Sequence, residues 1–167
     1  MSKPEKISLS HVDSQGRAHM VNVGEKPLIE RKAVATAQVQ VSPDCAAQID
    51  ANSIKKGDVL TTAQLAGMLA AKQTPALIPL CHPLRLDHVH VNCRLKDQTV
   101  HITAEVAARE RTGVEMEALT AVGIAALTVF DMCKAVDPAM TIGPIQVETK
   151  TKDGKTSFDR STISGTR

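Results

Sequence analysis

Three features of the sequence predict an α+β domain built on an antiparallel sheet. Leu86–Leu95 and Thr99–Ala107 each alternate apolar and polar residues, and only Lys96-Asp97-Gln98 separates them, which makes a hairpin. A third alternating stretch, Arg31–Val41, precedes two helical segments. A single long apolar helix then lies between the hairpin and a last strand, Ile145–Thr149.

Residues 1–30 read as irregular, with a turn at Val12–Gly16 and a short extended piece at Ala18–Val23; Gly24 and Pro27 argue against a helix. In Arg31–Val41, Ala33, Ala35, Ala37, Val39 and Val41 share one face, as in a half-buried strand. Ser42-Pro43-Asp44 starts a short helix to about Asp50, with proline at its first position. Lys55-Lys56-Gly57 is a loop, and Asp58 caps a helix over Val59–Lys72 with Leu65, Met68 and Leu69 expected on its core face. Thr74–Pro83 carries three prolines and reads as a stiff, mostly apolar loop whose polar group is His82. In the hairpin, Val89, Val91, Cys93 and Leu95 face inward, as do Val100, Ile102, Ala104 and Val106, and His101 should pair near Arg94. Residues 152–167 are polar and rich in Gly, Ser and Thr, so a largely flexible tail is expected after a single domain spanning 1–151. Strand, helix pair, two strands, helix, strand is the split βαβ, ferredoxin-like order, with helices packed on one face of the sheet. That fold hosts many functions and decides none.

The long helix, Thr112 to Val136, carries the chemistry. Thr112 and Glu115 have capping-box spacing, so it should start at Gly113, and Asp137-Pro138 stops it. Its apolar residues cover most of the circumference, as in a buried helix. Glu117, Thr120, Thr128 and Asp131 nevertheless fall on one strip, with Lys134 at its edge and Glu115 pointing away. Asp131 and Lys134 fit a structural ion pair as well as a site. Glu117 and Asp131 are fourteen residues apart, about 21 Å at about 1.5 Å per residue. One small ligand does not span that distance, but an antiparallel symmetry mate would bring one chain's Glu117 near the other's Asp131.

Composition removes several alternatives. The formal net charge is +2, which gives no signature for nucleic acid or a membrane surface. No tryptophan or tyrosine is present, so the predicted strands lack the stacking aromatics of an RNA-binding sheet of this fold. No apolar run is expected to reach the ~20 residues of a membrane span. Cys45, Cys81, Cys93 and Cys133 show no CxxC spacing and read as reduced thiols of a reducing compartment. The expected location is cytoplasmic, or mitochondrial for a processed eukaryotic chain. His88-x-His90 invites zinc, but nothing is spaced to complete four ligands, and a solvated strand face explains both residues. Lys56, Lys134, Lys150, Lys152 and Lys155 gather at element ends and favour a phosphate-bearing ligand, although no P-loop or dinucleotide motif is present.

Five strings occur in order: Lys56-Gly57-Asp58, Leu77-Ile-Pro-Leu80-Cys81-His82-Pro83, Thr112-Gly-Val-Glu115-Met116-Glu117-Ala-Leu, Asp131-Met-Cys-Lys134-Ala-Val and Ile142-Gly143-Pro144. Together they resemble the MoaC-type cyclic pyranopterin monophosphate synthases of molybdenum cofactor biosynthesis, over about residues 8–158. The resemblance implies a ferredoxin-like lyase, assembled as a homohexamer (a trimer of dimers) with its site at a subunit interface. The substrate it implies is a cyclised dihydro-GTP from a radical-SAM enzyme, with pyrophosphate released. Lys56 and Lys134 would be the acid–base pair, and Asp131 would orient Lys134 or shuttle protons. Leu80, Cys81, His82, Met116 and Glu117 fall at ligand-contact positions, with Glu115 close by, and Lys150 would meet the triphosphate. A carboxylate suits the guanidine-type edge of a pterin, which presents two donors. No resident metal or cofactor is implied; any Mg²⁺ would accompany the triphosphate. Two departures stand out: Asn22 replaces the family's usual aspartate, and Arg109-Glu110-Arg111 precedes Thr112 where a glycine is common. A non-catalytic ligand-binding or scaffold subunit of the same fold is the alternative.

Overall fold

The computed structural model describes residues 15–163. Six strands form one antiparallel sheet: β1 (Ile29–Gln40), β2 (His88–Lys96), β3 (Thr99–Glu110), β4 (Thr141–Ile142), β5 (Gln146–Lys152) and β6 (Lys155–Asp159). The strand order is β2-β3-β1-β5-β6, with the short β4 also on β1. The first four of these give the ferredoxin-like arrangement: β3 splits the pair β1 and β2, and β1 splits the pair β3 and β5. Four helices accompany the sheet: α1 (Pro43–Asp50), α2 (Val59–Lys72), the single turn α3 (Thr74–Leu77) and α4 (Glu115–Cys133).

Alternation decides which face the helices cover. Ala33, Ala35, Ala37 and Val39 of β1 are buried, as are Val100, Ile102, Ala104 and Val106 of β3; α4 packs over them, while α2 packs against α4 and over β2. The β2–β3 turn is two residues, Asp97 and Gln98, both at positive φ (47° and 61°), which matches the twist of the strands it joins. It sets the register that places His101 opposite Arg94.

Several expectations need correction. Of the expected core-face residues of α2, Met68 packs partly buried against the core, but Leu65 and Leu69 are 54% and 63% exposed, while Ala63, Gly67, Ala70 and Ala71 are buried. The helices meet through small residues, and a Cβ on Gly67 would lie 2.9 Å from the Ala121 carbonyl of α4. That close approach leaves no room for leucine there, so Leu65 and Leu69 turn outward. Thr74–Pro83 is not wholly irregular, because Pro75 sits in the first turn of α3, where its missing N–H costs nothing. The tail is not loose over 155–162: β6 and a 3-10 turn (Arg160–Thr162) form there. Asp153 and Gly154, at φ 52° and 71°, make the tight turn from β5 to β6. Of the residues before Thr112, Arg109 and Glu110 belong to β3 and still pair with β1. Of the expected turn at Val12–Gly16, Gln15 and Gly16 are turn residues; Val12–Ser14 lie outside the described residues.

α4 also contradicts the expectation about membrane spans. Its 19 residues have a mean hydropathy of 1.6, enough by length and composition to cross a membrane. Here it is an interior helix, with Ala118, Ala121, Val122, Ala125, Ala126 and Val129 at 0% exposure. Its ends differ from expectation too. It begins at Glu115 rather than Gly113, its N-cap position is Val114, and no side chain caps it. Glu115 is instead drawn away to a tertiary partner, Lys150.

Candidate active site

The polar residues of α4 divide between its two ends. At the C-terminal end, Asp131 holds two lysines on separate oxygens. Lys134 Nζ lies 2.7 Å from Oδ1, and Lys56 Nζ lies 2.6 Å from Oδ2 and 2.8 Å from the Asp131 carbonyl. Lys134 reaches Asp131 because three residues is almost one helical turn. Lys56 reaches it from the loop before α2, where Gly57 at φ 96° donates its N–H to the Ile54 carbonyl and closes the turn. The two ammonium groups hold the Asp131 carboxyl down to about 2, so it is ionised at any working pH. The side chains of Lys56 and Lys134 are 47% and 55% exposed, so one protomer does not enclose them.

Asp137 fixes the frame around this cluster. It is buried and accepts hydrogen bonds from the backbone N–H groups of Ser42 (2.6 Å) and Ala139 (3.1 Å), which ties the start of α1 to the end of α4. Beside it, the Cys45 and Cys133 thiols are fully buried, and burial pushes both up, Cys133 to about 12.

At the N-terminal end lies a cavity of about 410 Å³. Leu80, Cys81, His82, Glu115, Met116 and Glu117 line it, so sequence motifs some thirty residues apart do converge there. Glu117 is 3% exposed, and burial, reinforced by Glu115, pushes its carboxyl up to about 7 against a restraining backbone hydrogen bond. Burial and then the Glu117 charge raise the Cys81 thiol. A carboxyl that changes charge near neutrality faces a largely apolar cavity here, where it accepts from or donates to a ligand edge.

Val21, Val23 and Lys26 also line this cavity and were not anticipated as site residues. They belong to the irregular segment before β1, where no periodicity marks them. His82 Nε2 donates to the Val21 carbonyl (2.9 Å) and Arg111 Nε to the Lys26 carbonyl (3.0 Å), clasping that segment over the opening. His82 thus bonds a backbone carbonyl while also lining the cavity. Asn22 Oδ1 accepts from Gly24 N–H (2.9 Å), a turn that an aspartate would make equally well.

Lys150, on β5, pairs with Glu115 and borders a second cavity of about 420 Å³ with Val147, Ser157 and Phe158. The cluster at Asp131 is not part of either cavity, as the length of α4 requires. His88 and His90 lie on the open sheet face; the Glu105 carboxylate sits 3.7 Å from His88 and 2.8 Å from Lys32. Among the described residues no group of three or more His, Cys, Asp or Glu side chains converges as metal ligands would.

The chain is similar to known proteins over most of its length. The MoaC family profile matches residues 20–153, a span that includes the Asp131 cluster, the first cavity and Lys150 but not Ser157 and Phe158. A cyclic pyranopterin monophosphate synthase of Roseiflexus sp. is 53% identical over 144 residues, covering 85% of this chain and 91% of the relative. One from Brevibacillus brevis is 48% identical over 153 residues, covering 91% and 96%. Molybdenum cofactor biosynthesis protein 1 of Mus musculus is 50% identical over 161 residues, which is 95% of this chain but 25% of that longer protein. The chain belongs to the MoaC family.

Proposed function

We propose that this protein is a cyclic pyranopterin monophosphate synthase. It converts 3',8-cyclo-7,8-dihydro-GTP, supplied by a radical-SAM enzyme, into cyclic pyranopterin monophosphate and pyrophosphate, a lyase-type step of molybdenum cofactor biosynthesis. The observation that carries this reading is the Asp131 clamp. Two lysines are held 2.6 and 2.7 Å from one permanently ionised carboxylate, which sets two ammonium donors side by side; a lysine that has given its proton to substrate is then placed to take one back. The cavity at the other end of α4 supplies recognition: Glu117 for the donor edge of the pterin, Cys81, Leu80 and Met116 for its faces, and Lys150 for the phosphates. No resident cofactor is invoked, and Mg²⁺ would enter with the triphosphate. A cytoplasmic location, or a mitochondrial one for a processed chain, accords with four free thiols.

The two halves act on one substrate only when a second copy brings its Asp131 clamp to this chain's cavity. Leu65, Leu69 and Leu127 lie exposed on the outer side of the helix layer that bears both halves, as an associating surface would. We therefore read the working form as a homohexamer, a trimer of dimers, with shared sites. The test is conversion of enzymatically generated cyclised dihydro-GTP, followed by pyrophosphate release and pterin product. Wild type converts it, while Lys56→Ala and Lys134→Ala assemble normally and do not. An assembled wild type without activity overturns this reading in favour of a binding or scaffold subunit.

A further inference from the structure

Glu115 is placed in an unusual way. It opens α4 without capping it, and its side chain folds back over Gly113 to pair with Lys150. The fold-back depends on glycine: a Cβ at position 113 would sit 1.8 Å from Glu115 Oε2 and 2.6 Å from its carboxyl carbon. Glu115 also lines both cavities, so the Glu115–Lys150 pair stands where the two meet. Both partners are partly exposed, 24% and 38%, so the pair is breakable rather than a buried fixture.

We propose that Glu115 is not a ring contact but the internal counter-ion of a phosphate site at Lys150. It occupies Lys150 when no phosphate is bound and competes with bound pyrophosphate for it. This rests on the reading above only in taking Lys150 as the phosphate ligand. Substrate has further anchors in the cavity and tolerates the competition. Pyrophosphate has only its phosphates, so the returning carboxylate hastens its departure. Gly113 is the permissive residue that gives the carboxylate its position.

The experiment is calorimetric titration of the assembled protein with inorganic pyrophosphate at fixed ionic strength. Glu115→Gln tightens pyrophosphate about two- to fivefold, the range an exposed ion pair supports. Gly113→Ala, which displaces the carboxylate without removing it, tightens binding in the same direction. Lys150→Ala weakens it, and in that background Glu115→Gln no longer tightens it. If Lys150→Ala weakens binding but neither Glu115→Gln nor Gly113→Ala tightens it, the competition is refuted while the phosphate role of Lys150 stands. Tightening by Glu115→Gln that persists in the Lys150→Ala background refutes competition for Lys150. Unchanged affinity in Lys150→Ala removes the phosphate role itself, and the proposal with it.

Discussion

Glu117→Gln isolates the cost of placing an ionisable carboxyl at 3% exposure. Its carboxyl moves from an ordinary 4.5 to about 7 on folding. Below pH 4.5 both the folded and the unfolded chain carry the proton, and the residue costs nothing electrostatically. Between 4.5 and 7 the unfolded chain ionises while the folded one keeps its proton, so stability falls as pH rises. Above 7 both are ionised, and the accumulated loss is about 3 kcal/mol per protomer at 1.36 kcal/mol per pH unit, as an upper figure. Glutamine has nearly the same shape and no charge. The stability of Glu117→Gln relative to wild type should therefore grow from pH 5 to pH 8, by roughly 5–10 °C in melting midpoint at this chain length. Thermal unfolding at several pH values and one protein concentration measures it. Parallel curves for the two proteins would refute the claim that burial holds this carboxyl near neutrality.

Four further outcomes follow from the geometry. Lys56→Ala and Lys134→Ala should leave melting midpoints nearly unchanged, because exposed pairs contribute at most about 1 kcal/mol, while turnover falls by about 10² or more. Because Asp131 ionises near 2, the acid limb of the activity profile between pH 5 and 8 should not move in Asp131→Glu; a shifted limb would contradict the permanently ionised clamp. Gly67→Ala puts a methyl 2.9 Å from the Ala121 carbonyl and 3.1 Å from Val91 Cγ1, and should cost about 1–3 kcal/mol in denaturant unfolding. Asp137→Ala removes the acceptor for the Ser42 and Ala139 N–H groups and should cost about 1–3 kcal/mol, whereas Asp137→Asn, which keeps an acceptor oxygen, should recover part of it.

Where local pattern and tertiary contact agree, the fold is legible from residues alone. The alternation of Ala33 to Val39 and the two-residue turn at Asp97-Gln98 are such cases; period 2 fixes the buried face and the turn fixes the register. Legibility fails where packing reverses a local preference. Leu65 and Leu69 lie outward because the alanine and glycine face of α2 meets α4 at close range, a choice that periodicity does not make between two possible faces. Thr112-x-x-Glu115 reads as a capping box, but a lysine two strands away in the sheet competes for the same carboxylate and holds it. Asp153-Gly154 was a hairpin signal overshadowed by the polar composition around it. In the candidate site, the motifs point to charged residues that the structure gathers at the two ends of α4, because such strings restrict the residue type. Val21, Val23 and Lys26 were not legible in this way, since a clasped irregular segment contributes backbone carbonyls and apolar contact that many sequences supply.

The claim that two chains share each site is tested most directly by mixing inactive variants. Lys134→Ala lacks the clamp and keeps the cavity; Glu117→Ala lacks the cavity carboxyl and keeps the clamp. After dissociation and co-assembly, a pair of unlike chains contains one site with both halves intact and one with neither. Conversion of the cyclised substrate should return to a substantial fraction of wild type in the mixture, though each variant alone is inactive. Mixed oligomers that are demonstrably co-assembled and still inactive would contradict a site composed from two protomers.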